Sequence, residues 1–180
     1  MKVRILFLIC FLSITCLLNA ADKPVIQIHT DNSSLIFRVA DNGRLYQSYL
    51  GKKLNHETDI SHLPQGTEAY ITHGMEDYFE PAIHILHNDG NPSLLLKYIS
   101  HETKAVSQGV NETIITLGDD KYPVTVKLHY VTYPAEDIIK TYTEISHKEK
   151  KPVVLHQYAS SMLHLNRAKY YLTEFAGDWA

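Results

Sequence analysis

Val124-Thr125-Val126-Lys127-Leu128-His129-Tyr130 alternates apolar and polar side chains almost without a break. Successive side chains on a strand point to opposite faces, so this stretch reads as a strand with one face in a core and the other toward water. The same period of two recurs on both sides of it. Upstream it is carried by 25–29, 34–39, 44–50 and 113–117, and downstream by 139–145 and 154–159. β-Branched and aromatic residues crowd these runs, as a half-buried pleated surface favours.

Turn chemistry separates the runs. Asp41-Asn42-Gly43 predicts a tight hairpin turn in which Asn-Gly accepts positive φ angles. Further turns are predicted at 88–92, 118–120, Tyr133-Pro134 and 148–152. Many short strands with turns between them, and no convincing amphipathic helix, argue for an all-β, antiparallel sandwich or barrel. No fixed-period repeat points to a propeller or β-helix. Lys52 to Tyr78 breaks the strand order as a long polar loop, and loops of that length in a compact domain are usually functional or pack on a neighbour.

The first 20 residues read as a signal peptide. Lys2 and Arg4 make a basic start, Ile5 to Leu18 an apolar run, and Asn19-Ala20-Ala21 a small-residue cleavage site. The apolar run is shorter than the roughly 20 residues a spanning helix needs, so no membrane span is expected after cleavage. The expected location is periplasmic or extracellular. Both cysteines, Cys10 and Cys16, lie in this segment, which leaves the rest of the chain without disulfides or thiolate ligands. About 160 residues remain, enough for one domain with its own core. A formal charge of −3 gives no reason to expect nucleic acid as a partner.

Eleven histidines invite a metal site, but no ligand spacing supports one. His84 and His87, three apart on a strand, point to opposite faces. No Gly-x-Ser-x-Gly elbow and no glycine-rich phosphate loop occurs. Neither a metal nor a cofactor is expected. Glu76-Asp77-Tyr78-Phe79-Glu80-Pro81 sets three carboxylates beside two aromatics at the mouth of the long loop. Paired carboxylates serve glycoside hydrolysis, and aromatic faces beside acids suit sugars. The plainer reading is that the rings anchor the loop while the acids are solvated.

Several of these words, in order, resemble the N-terminal domain of glycoside hydrolase family 36, the retaining α-galactosidases. Residues 45–52 (Leu-Tyr-Gln-Ser-Tyr-Leu-Gly-Lys) look like that family's hairpin ending in an aromatic, glycine and lysine. Residues 74–82 look like its glycine, aspartate, aromatic, proline, alanine element. Asp89-Gly90 followed by 96–101 is similar to its turn and next strand, and 175–180 to its element ending near tryptophan. The resemblance covers residues 24–180.

It implies a β-supersandwich that in the family packs on a (β/α)₈ barrel, with catalytic aspartates at the ends of barrel strands. No residue of this chain inherits a catalytic role. The chain stops one residue past Trp179 in a strand-like pattern, so it is expected to be a truncated, catalytically silent piece. The oligosaccharide substrate would be met through a barrel outside this chain. The family's homo-oligomers suggest that the 52–78 loop is a rim element, with Asp59 and Asp77 as acceptors for sugar hydroxyls. Two other readings stay open: a free-standing carbohydrate-binding sandwich, and an aldose-epimerase-like sugar-binding domain.

Overall fold

The computed structural model describes residues 23–74, 79–165 and 177. The strands run antiparallel in three sheets. The first holds β1 (Val25–His29), β2 (Ser33–Val39), β3 (Leu45–Lys52) and β4 (Thr67–Glu68) in that order. The second pairs β5 (Ile83–Leu86) with β10 (Val154–Tyr158). The third is a meander of β6 (Lys97–Ser107), β7 (Val110–Gly118), β8 (Val124–Tyr133) and β9 (Ile138–His147). The all-β sandwich expected from the two-residue period is what forms.

Alternation explains which face is buried. Ile26 and Ile28 of β1, Leu35 and Phe37 of β2, Ile115 and Leu117 of β7, and Val124, Val126, Leu128 and Tyr130 of β8 meet in one core. The Phe37 and Tyr130 rings, 5.1 Å between centroids, join the first sheet to the third. Tyr130 is buried there, and burial pushes its phenol well above the usual tyrosine range. Ile83 and Ile85 bring β5 into the same core.

Two local features differ from the sequence reading. In the turn before β3 only Gly43 takes a positive φ, +78°; Asn42 does not. The Asn42 side chain instead accepts the Arg44 N–H at 2.9 Å, the short-range bond that makes asparagine a turn former. Within the long loop, α1 (Glu57–Ser61) and the short β4 interrupt what reads as irregular chain. Among the described residues no helix is long and apolar enough to cross a membrane.

The first sheet has a second, outward face, and the loop between β3 and β4 covers part of it. β2 and β3 slip register between Ile36 and Phe37, which leaves Ser48 unpaired across the ladder. The freed Ser48 hydroxyl donates to the Gln65 carbonyl at 3.0 Å. At the other end of the loop the Leu54 N–H donates to Ser34 Oγ at 2.9 Å. Ile60 of α1 is buried, and Arg38 of β2 donates to its carbonyl oxygen. The loop is therefore a strap fixed at both ends and in the middle.

Candidate functional site

α1 and the outer face of β1–β2 enclose a cleft of about 640 Å³, lined by Val25, Gln27, Arg38, Val39, Glu57 and Ile60 among others. That size falls within the usual range of small-ligand sites, about 300–1,000 Å³. Strand alternation sets its floor, because Val25 faces Arg38 across the β1–β2 ladder and Gln27 faces Ile36. His29 Nδ1 lies 2.8 Å from Ser34 Oγ, and His29 Nε2 lies 3.1 Å from Gln27 Oε1. With its oxygen engaged, Gln27 keeps its amide N–H₂ for the cleft. Burial pushes the His29 imidazole below its ordinary value, helped by Lys53 and opposed by Glu57.

Asp59 stands on α1, exposed, in the first turn. Its own carboxylate makes no hydrogen bond with any described residue. Its neighbour Glu57, not Asp59, is among the residues lining the cleft. Asp77, with Glu76 and Tyr78, lies outside the described residues, as does Trp179. Of the acidic-aromatic cluster, Phe79 is 66% exposed and Glu80 accepts a bond from Gln157 Nε2 at 2.9 Å.

The acids that are held tightly serve structure. On the outer face of the third sheet Glu112 accepts from the Tyr142 hydroxyl at 2.6 Å and lies 2.9 Å from His129 Nδ1 and 3.0 Å from Lys104 Nζ. The His129 and Tyr142 rings stack at 4.3 Å. The bonds from Tyr142 and then His129, with Lys104, outweigh burial and hold the Glu112 carboxyl down at about 2. Glu149 and His87 make a buried pair, 2.6 Å apart. Burial of the Glu149 carboxyl acts upward, but the bonds from His87 and Asn88 leave it below its ordinary value.

Glu112 carries a pH prediction. Its folded value, about 2, lies below the ordinary 4.5, so its contribution to stability is complete above pH 4.5 and fades as pH falls toward 2. Glu112 is buried, but its partners Lys104 and Tyr142 are exposed and water screens the cluster, so the expected contribution is about 1 kcal/mol. Thermal melts of Glu112→Gln should lose this part of the acid-limb slope. An unchanged slope between those limits would count against it.

Sequence reading could not find the Glu112 cluster, because its four members sit on four different strands, β6 to β9. Nor could it see that Glu57 and Arg38 share a cleft. Three histidines do gather, with His73 stacked on His84 at 3.8 Å and His84 tilted against His156 at 4.8 Å. Among the described residues no group of three His, Cys, Asp or Glu side chains is placed to hold a metal ion.

Residues 27–180 match the family model described as the glycosyl hydrolase family 36 N-terminal domain. Solved structures share the fold. The galactosidase domain of the α-galactosidase–sucrose kinase AgaSK superposes with a TM-score of 0.68 at 20% identity, over 76% of this chain and 24% of that one. The α-galactosidase from Lactobacillus brevis gives 0.65 at 16%, over 77% and 23%. A variant of AgaA from Geobacillus stearothermophilus in complex with raffinose gives 0.68 at 18%, over 76% and 24%. This chain thus spans about a quarter of the length of each. No curated protein matches it.

Proposed function

Because this chain belongs to the glycosyl hydrolase family 36 N-terminal domain family, we propose that it is the non-catalytic β-sandwich part of an exported retaining α-galactosidase acting on terminal α-galactosides. The observation that carries this reading is the family match over residues 27–180, which takes in nearly all of the described sandwich. The engagement of the buried acids supports it. Glu68, Glu112 and Glu149 are each held by a cationic or imidazole partner, which leaves them ill suited to attack or protonate a glycosidic bond.

The chain by itself should leave a synthetic α-galactoside at the buffer rate of hydrolysis. Turnover above background by the purified chain would overturn the silent-domain reading. Export predicts a mature protein whose first residue is Ala21, read by N-terminal sequencing of the exported form; retention of residues 1–20 would refute it.

The long loop serves, on this reading, as a rim element of the whole enzyme, with Asp59 and Asp77 accepting hydrogen bonds from sugar hydroxyls. In the full-length homo-oligomer, Asp59→Ala or Asp77→Ala should raise KM about three- to tenfold and change kcat less, as loss of one hydrogen bond to substrate predicts. An unchanged KM in both variants removes the rim role. Asp59 is suited to it by its exposure on α1 and its lack of a described side-chain partner.

A further inference from the structure

The cleft beneath α1 holds a guanidinium with spare donors. Arg38 donates to the Ile60 carbonyl through one terminal nitrogen, while its buried Nε has no partner. Among the described residues no carboxylate forms an ion pair with it. That Nε is closed off from solvent, so the donors a ligand in the cleft can reach are the remaining terminal N–H groups of the guanidinium. Gln27 adds its amide N–H₂, and Glu57 supplies an acceptor from the opposite wall. Val25 and Val39 contribute apolar lining between these groups.

The charge in the lining decides the ligand class. Lys23 and Arg38 are balanced by Asp41 and Glu57, and Lys23 is already paired with Asp41. A cleft with no net charge does not select an anion or a cation. Mixed donors and acceptors around an apolar patch suit a ligand that offers many hydroxyls and a C–H face. We propose that the cleft between α1 and β1–β2 binds a neutral saccharide, its hydroxyls taken by Arg38, Gln27 and Glu57. The choice of α-galactoside sugars as ligands rests on the family reading above, whereas the hydroxyl-binding chemistry rests on the cleft.

The test is calorimetric titration of the full chain with raffinose, galactose, galacturonate and inorganic phosphate. Raffinose or galactose should bind with a dissociation constant on the order of 1 mM, as an open site of a few hydrogen bonds gives. Arg38→Met should weaken binding about tenfold. Because Arg38 also tethers α1, Glu57→Gln is the second variant; Glu57 is exposed and makes no described side-chain hydrogen bond, so its effect reports the ligand. It should weaken binding about threefold.

No sugar binding, equal binding by both variants and the parent, or tighter binding of galacturonate or phosphate each overturns the proposal. Galacturonate or phosphate winning would make the cleft an anion site. None of these outcomes bears on hydrolysis, which is scored separately, and failure of the α-galactosidase reading would leave the titration intact.

Discussion

Replacing Glu68 by alanine should lower the unfolding free energy by about 3–5 kcal/mol. Arg44, just before β3, and Glu68 in β4 are both almost fully buried. The guanidinium meets the carboxylate as a fork, with Nε donating to Oε1 at 2.8 Å and a terminal nitrogen donating to Oε2. The pair itself need not be strongly stabilising, since two charges have been taken out of water to make it. Removing one partner is different, because the guanidinium then keeps its desolvation cost without the carboxylate that offsets it. Urea denaturation should show the full loss for Glu68→Ala. It should show a smaller one for Glu68→Gln, which keeps an acceptor of the same shape. Replacing both partners, Arg44→Met with Glu68→Leu, should recover much of the stability. If the double variant is as unstable as Glu68→Ala, the buried charge is not the cause.

Gly66→Ala is the second large effect. Gly66 has φ of +82°, a left-handed conformation that a residue with a Cβ adopts at a cost. A Cβ at this position would also stand 1.9 Å from the Gln47 carbonyl oxygen, which is backbone of β3 and cannot swing aside. Strain and forced displacement together should cost about 2–5 kcal/mol. Gly109, in the β6–β7 turn, is the control: its φ is +74°, and nothing lies within 4 Å of the added atom. Gly109→Ala should therefore show the conformational cost alone, about 1–2 kcal/mol. Equal losses at the two positions, compared by urea denaturation, would show that the contact with β3 contributes nothing. Because Gly66 closes the strap that carries α1, its substitution should also weaken any ligand held beneath that helix.

The two sites show how unevenly the sequence discloses its structure. The β6–β7 turn at Gly109 is not singled out in sequence, whereas Gly43 is legible as a turn, since short-range backbone geometry depends on the residues themselves. Gly66 reads the same way in sequence, yet its severity comes from β3, which lies 19 residues away at Gln47. Arg44 and Glu68 lie 24 positions apart, with β3 and α1 between them, and look like two ordinary surface charges until β3 and β4 pair. α1 has five residues, little more than one turn, too short for a 3.6-residue period to register. Asp59 was reachable as an acidic loop residue, but its place on α1 beside the cleft-lining Glu57 was not.

By itself the sequence determined the two-residue period, the turns, the absence of cysteine after the first 20 residues and the family of the sandwich. These follow from local propensity, from side-chain alternation and from words kept in order along the chain. The tertiary structure alone decided which polar groups share a space: the Glu112–His129–Tyr142 cluster, the buried Arg44–Glu68 fork and the cleft that sets Arg38 against Glu57. The physical reason is that burial and charge pairing depend on distances across sheets and loops, and a strand's sequence specifies its own faces but not its neighbours.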